Sequence, residues 1–163
     1  MLISRAWLSE LLVDPSGAGL PADAELSAAI TAVGLEVEGV TRVGQGLEAI
    51  VVGEVRGIAP HPAADRLRVV ELFDGQRVLS VVCGAPNVPA PGGKVAFAPV
   101  GTTLPGGGGG EGLRLTARQV RGVDSHGMIC SEQELGIGPD HDGILVLPSA
   151  WPAGDRLADH VPG

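Results

Sequence analysis

The sequence predicts a mainly β fold: a small closed or nearly closed barrel of five or six short strands, with a helical appendage before it. Three observations predict it. Residues 50–147 hold several short runs that are β-branched or alternate between apolar and polar. Turn-forming pairs punctuate those runs, and the chain carries 26 Gly and 13 Pro, a composition that favours many tight turns over a helical bundle. Short strands at this spacing leave the fewest exposed edges when they roll into a barrel.

The elements follow in order. Ser4 is placed to cap a short helix in which Trp7, Leu8, Leu11 and Leu12 share one face, and Asp14-Pro15-Ser16-Gly17 breaks it. Asp23 is placed to cap a second helix, with Leu26, Ile30 and Val33 on one stripe and Gly34 as its stop. Two short helices with one apolar face each make no core alone, so they are expected to pack on something else. The texture changes from about residue 39. Residues 50–55 are dense in Val, and residues 67–73 alternate as a half-buried strand does. Residues 78–83 and 95–100 are further strand candidates, 113–120 alternates more weakly, and 144–147 is a last apolar run. Asp74-Gly75, Ala85-Pro86-Asn87, Pro91-Gly92-Gly93 and Gly138-Pro139-Asp140 are the turn signals between them. Ser131, Glu132, Glu134, Leu135 and Gly136 read as one capped helical turn. After Pro148 the chain reads as the start of another element.

Composition narrows the function. Hydrophobic residues make up 44% and charged residues 18%, as in a folded globular protein. The net charge of −8 excludes binding to nucleic acid by diffuse positive charge; contact with RNA requires a local patch or a larger assembly. Phe73, Phe97, Trp7 and Trp151 are the aromatic residues, too few for a platform on which single-stranded bases stack. Cys83 and Cys130 form no disulfide framework and have no metal-ligand spacing; both are expected as small buried hydrophobes, with thiols suited to the cytoplasm. The N-terminal apolar stretch is too short and interrupted for a signal peptide, and no run reaches the ~18 apolar residues of a membrane span.

Other local patterns carry little chemistry. The run LPGGGGGEG (residues 104–112) lacks the Lys-Ser/Thr that a phosphate loop needs, and is expected to be a mobile hairpin connection. His61-Pro62 and Asp65 form a turn, with Asp65 closing it through its side chain. His126 and His141 lie near Cys130 and Asp140 without ligand spacing, so no metal is expected.

Five blocks are more specific: VGEVRGIAPHPAADRL (52–67), VCGAPNV (82–88), KVAFAPVGTTLP (94–105), RGVDSHGMICSEQELGI (121–137) and DGILVLP (142–148). In this order they resemble the tRNA-binding domain shared by the phenylalanyl-tRNA synthetase beta subunit, some methionyl-tRNA synthetases and small free-standing tRNA-binding proteins. The flanks SRAWLSELLVD (4–14) and ITAVGLEVEGV (30–40) are similar to the opening of bacterial phenylalanyl-tRNA synthetase beta subunits. The resemblance implies a five-stranded OB-fold barrel over residues 39–150. It implies that 1–38 is the first part of an incomplete small helical or α+β domain, and that 151–163 begins a segment returning to it. It further implies a fragment of a longer subunit in an enzyme of two alpha and two beta chains, which joins phenylalanine to its tRNA with ATP and magnesium. The implied partners are tRNA, the alpha subunit and the remainder of the beta subunit, with no DNA and no membrane, in the cytoplasm. Aminoacylation belongs to the alpha chain and editing to a later part of the beta chain, so no catalytic residue, cofactor or metal is expected in these 163 residues.

Within that frame the candidate tRNA-binding residues are Arg66, Arg68, Lys94, Arg114, Arg118, Arg121, Ser125 and Met128. A guanidinium binds phosphate as a planar fork. A serine hydroxyl can bond a phosphate or ribose, and a methionine can pack on a base or sugar. The competing reading is a solvated mixed surface, with Ser125 capping a turn and Met128 filling the core. Thr116 and Gln119 stand where relatives often carry lysine, which favours weaker RNA binding. Two alternative functions remain: a scaffold that rigidifies the subunit with little RNA contact, and a free-standing dimeric tRNA-binding protein, against which residues 1–38 argue.

Overall fold

The computed structural model describes residues 3–12, 19–40, 46–105 and 112–161 of the chain. The chain divides into two compact units, residues 1–42 and 43–163. The expected break at Asp14 to Gly17 and most of the glycine run lie outside the described residues.

The first unit holds helices α1 (Arg5–Leu11) and α2 (Asp23–Ala32). Ser4 caps α1, its hydroxyl accepting from the Trp7 N–H at 3.5 Å. Asp23 does not cap α2 as expected. Ala22 occupies the cap position without a side-chain bond, and Asp23 is the first helical residue. There its carboxylate accepts from the Arg5 guanidinium at 3.0 Å and complements the helix dipole. Gly34 ends α2 as expected, at φ +96, with its N–H donating to the Thr31 carbonyl at 3.0 Å. Trp7, Leu11, Leu12 and Val33 are exposed, so neither helix has a buried apolar stripe among the described residues.

The second unit is the barrel. Its long strands are β1 (Val51–His61), β2 (Ala64–Phe73), β3 (Val78–Cys83) and β4 (Lys94–Ala98). Two short ribbons follow: β5 (Thr103–Leu104) with β6 (Leu113–Arg114), and β7 (Arg118–Val120) with β8 (Val123–Ser125). After them come β9 (Met128–Ile129), the helical turn α3 (Glu132–Leu135) and β10 (Val146–Leu147). The main sheet is antiparallel in the order β10-β4-β1-β2-β3, and β9 also pairs with β4. The chain from β8 to β9 closes the sheet. The Val82 N–H donates to the Ser125 hydroxyl at 3.1 Å, and the His126 N–H to the Ser80 carbonyl at 3.0 Å, so β3 is held by the segment that next pairs with β4.

Strand β4 shows why the barrel has two cores. All five residues of KVAFA are buried. Val95 and Phe97 join Val55, Val70, Leu72 and Val81 in one cluster. Ala96 and Ala98 face the other way, into a cluster with Val52, Leu104, Cys130, Leu135 and Leu157. The small alanines let α3 and residues 151–161 approach the outside of the sheet. α3 is the capped helical turn expected from its sequence, and its cap is a reciprocal capping box: Ser131 and Glu134 satisfy each other's backbone N–H, and Gly136 at φ +67 stops the turn.

Residues 151–161 lie against β1 within the second unit. Val52 donates its N–H to the Asp155 carbonyl, and the N–H groups of Gly154 and Leu157 donate to Val52 and Ile50, each at 2.8 Å. Leu157 is fully buried. The contact between Gly75, in the β2–β3 turn, and Gly154 admits no Cβ at either position.

Candidate nucleic-acid interface

The chain carries 11 Lys and Arg residues, and the fold sorts them into two groups. One group is neutralised internally. Arg5 pairs with Asp23 at 3.0 Å, Arg77 with Asp74 at 3.8 Å, Arg156 with Asp159 at 2.7 Å, and Arg56 with Glu54 at 3.1 Å. Lys94 also pairs with Glu54. The other group is Arg66, Arg68, Arg114, Arg118 and Arg121. Among the described residues no carboxylate forms an ion pair with any of them, and all five are exposed. Arg42 lies outside the described residues.

Backbone pairing brings four of the unpaired arginines to two adjoining hairpins. Arg66 and Arg68 follow the β1–β2 turn; His61 pairs with Ala64 and Pro60 with Arg68. Arg68 also pairs across to Cys83 on β3, at the end of the barrel wall. On the second hairpin Arg118 stands opposite Ser125, and Arg121 occupies the two-residue turn between Val120 and Val123. Arg121 has φ +45 and Gly122 φ +88, the paired positive angles that a type I′ hairpin turn requires. For a side-chain-bearing residue that conformation costs about 1 kcal/mol. The Arg121 guanidinium donates to the Ala63 carbonyl, in the turn of the first hairpin, at 3.3 Å.

A buried histidine ties the two hairpins together. His61 is 5% exposed. The Ala63 N–H donates to its Nδ1 at 3.1 Å, so the ring proton sits on Nε2, which lies 2.9 Å from the Val120 carbonyl and donates to it. Closure of this turn by Asp65 is therefore corrected. Asp65 is an exposed residue of β2, and the ring of His61 makes the bond to the backbone two residues on. The Arg-Gly turn did not stand out in the sequence, because type I′ turns are ordinarily marked by Asn-Gly or Asp-Gly; His61 stood out only as part of its own turn, because the carbonyl that takes its second bond lies 59 residues away.

The remaining candidates fall elsewhere. Lys94 is 8% exposed and committed to Glu54, whose carboxyl is held below its ordinary value first by the hydrogen bond from Lys94 and then by the nearby charges of Lys94 and Arg56, against the opposing effect of burial. It has no ammonium to offer a phosphate without breaking that pair. Ser125 is 4% exposed, and its hydroxyl accepts from Val82 and donates to the Gly127 carbonyl at 3.3 Å. It closes the barrel, and its oxygen and proton are both used there. Met128 is half-buried against the outer core cluster. Arg114 is exposed on the separate β5–β6 ribbon, opposite Thr103. Gln119 spends its amide on Asp124 at 3.2 Å.

Other chemistry finds no centre. Burial raises both thiol pKa values, that of Cys130 the further. No group of three potential metal ligands assembles among the described residues. A shallow cleft of about 210 Å³ is lined by Asn87, Gly143, Ile144 and neighbours, together with Glu132 and Asp140, whose carboxylates repel a phosphate. No helix among the described residues is long and apolar enough to cross a membrane.

Known proteins share this chain's pattern. The family profile described as Putative tRNA binding domain matches residues 50–156. The phenylalanine–tRNA ligase beta subunit of Nitratidesulfovibrio vulgaris is 46% identical over 162 residues, covering 99% of this chain and 19% of its own length. That of Pectobacterium atrosepticum is 45% identical over 163 residues, with the same coverage of both. The chain thus spans about a fifth of the length of these relatives. Among solved structures, the C-terminal domain of Plasmodium vivax p43 aligns with a TM-score of 0.45 at 22% identity, over 66% of this chain and 57% of that one. With a family profile matched over residues 50–156, which include every strand of the barrel, the chain belongs to the family of the Putative tRNA binding domain.

Proposed function

We propose that this chain is the tRNA-binding, non-catalytic part of a phenylalanine–tRNA ligase beta subunit. The observation that carries the reading is the family match over residues 50–156 together with 46% identity that runs through both units. In the whole enzyme the proposed partners are tRNA, the alpha subunit and the rest of the beta subunit. ATP and magnesium are used outside this segment, and the setting is the cytoplasm.

The tRNA-facing surface we propose is the pair of hairpins bearing Arg66, Arg68, Arg118 and Arg121, with Arg114 on the next ribbon. Its support is the absence of ion-pair partners for these cations among the described residues, while Lys94 and four other arginines are ion-paired. An exposed guanidinium without a carboxylate partner gives up no ion pair to bind phosphate. Asp65 and Asp124 stand on the same two hairpins, so the surplus is small and the affinity modest. Lys94, Ser125 and Met128 are left out of this surface.

Titration of the chain with unfractionated tRNA at several salt concentrations tests the reading. Each arginine that meets a phosphate adds about one to the slope of log affinity against log salt, so Arg66→Gln and Arg118→Gln should each lower the slope by about one. An unchanged slope in both variants overturns the surface; no binding at low salt overturns tRNA binding by this chain. The net charge of −8 favours a second reading, a scaffold with little RNA contact. Removing the barrel from the whole subunit separates the two: the scaffold predicts lost thermal stability with an unchanged KM for tRNA.

A further inference from the structure

We propose that His61 is the positioning residue of the RNA-facing surface. Its ring locks the β7–β8 hairpin onto the β1–β2 turn, so that Arg66 and Arg68 on one and Arg118 and Arg121 on the other meet the RNA backbone as one rigid set. The inference rests on the tRNA-binding reading for its purpose, and on geometry alone for its mechanism.

Three observations carry it. First, the imidazole bridges two elements with both nitrogens: Nδ1 accepts from Ala63 within its own turn, and Nε2 donates to Val120, 59 residues later. Both ring nitrogens lie in one rigid plane and point outward from different edges of it, so the bond to Ala63 sets the aim of the bond to Val120. Second, the same two elements are joined again, two residues further along the first and one residue further along the second, by Arg121 reaching the Ala63 carbonyl. Arg121 holds the one positive φ among the described non-glycine residues. Asparagine suits that turn better, so the chain keeps a guanidinium there at a cost in backbone energy. Third, the β7–β8 ribbon is a two-stranded sheet of its own, joined to the main sheet by no strand pairing. Beyond Ser125 and His126 at its base, its tip is held by these side chains. Without the lock the tip would move relative to β2, and two arginines would be aimed independently of the other two. Multidentate binding loses affinity when its groups must be ordered at the moment of contact.

His61→Asn separates the lock from the turn. Asparagine can accept from a backbone N–H two residues on, as an Asx turn does, but its side chain is too short to reach Val120. The full chain should therefore keep its melting temperature within about 4 °C. Amide hydrogen exchange in residues 118–124 should rise roughly tenfold or more while β1–β4 stay protected. Affinity for unfractionated tRNA should fall about tenfold. In an Arg118→Gln/Arg121→Gln background, His61→Asn should weaken binding by less than about twofold, because its effect passes through those arginines. Unchanged exchange in residues 118–124 overturns the lock, whether or not the chain binds tRNA. Faster exchange with undiminished tRNA affinity overturns the positioning role while leaving the tRNA-binding reading intact. An equal loss of affinity in both backgrounds also overturns it, since His61 would then act elsewhere. Absence of tRNA binding by the unaltered chain overturns both the reading and the role built on it.

Discussion

Lys94 shows how burial decides what a charged residue is for. A lysine on a strand beside an RNA-binding motif looks like a phosphate ligand, yet here it sits opposite Glu54 in the β1–β4 ladder and pairs with it. Replacing it with Met should cost about 1–2 kcal/mol, less than a fully buried pair because Arg56 still faces Glu54. Denaturant titration measures that loss, and tRNA affinity should not change. Full stability with weakened tRNA binding would reverse the assignment. The pair also sets an acid limit. The Glu54 carboxyl in the folded chain lies below its ordinary 4.5, because the charged form accepts a bond from Lys94. Its stabilisation is therefore complete above the unfolded value and is lost as pH falls through the folded one. Between about pH 6 and about pH 3 the unaltered chain should lose more stability than Lys94→Met. The cysteines are simpler. Cys83 and Cys130 are buried, and desolvation disfavours both thiolates. An aromatic disulfide reagent at about pH 8 should find neither thiol in the folded chain and both in denaturant; rapid native labelling of either would show that the core opens.

At the scale of elements, the strands of the main sheet are legible because their residues obey short-range rules. Residues 78–83 form β3 as expected of a strand candidate, and the helical turn α3 is written in Ser131, Glu134 and Gly136. β1 and β2 run longer than their apolar segments, meeting at a turn where His61, rather than Asp65, bonds the backbone. The weak alternation of residues 113–120 resolves into two separate ribbons, because Leu115 turns inward between them and bonds the Thr102 carbonyl. Barrel closure depends on Gly127. It lies between β8, which is held to β3, and β9, which pairs with β4, and it has φ +115. A Cβ there would sit 2.5 Å from the Ala98 carbonyl oxygen and 2.6 Å from the Phe97 ring. Gly127→Ala should destabilise the chain by more than about 2 kcal/mol, by adding that clash to a left-handed strain. Thermal unfolding checks it; a loss of only a few tenths would mean that β9 can pair without this crossing.

For the whole molecule, the question is where the barrel unit ends. Its outer core needs a cover, since Ala96, Ala98 and Val52 face away from the barrel interior. The cover is α3 together with the tail, which adds Leu157 to the cluster and stacks Trp151 on His160 with ring centroids 4.3 Å apart. Leu157→Ala should therefore cost about 2–4 kcal/mol, as removal of a fully buried leucine does. Chemical denaturation measures it, and a near-neutral result would show that the tail adds nothing to the core. Among the described residues of the first unit no hydrophobic side chain is buried. Trp7 and Leu11 of α1 and its cap residue Leu12 are exposed.

The class of fold, the main-sheet strands other than β9, most of their turns, and the family were legible in the sequence. These depend on alternation, on glycine and proline, and on blocks of residues read in order. The cores, the tail against β1 and the division of the arginines were decided by tertiary structure. Strand pairing and chain closure bring Glu54 to Lys94, His61 to Val120 and Leu157 to Ile50. Charges separated by dozens of residues carry no mark of which will neutralise each other and which will stay without a partner.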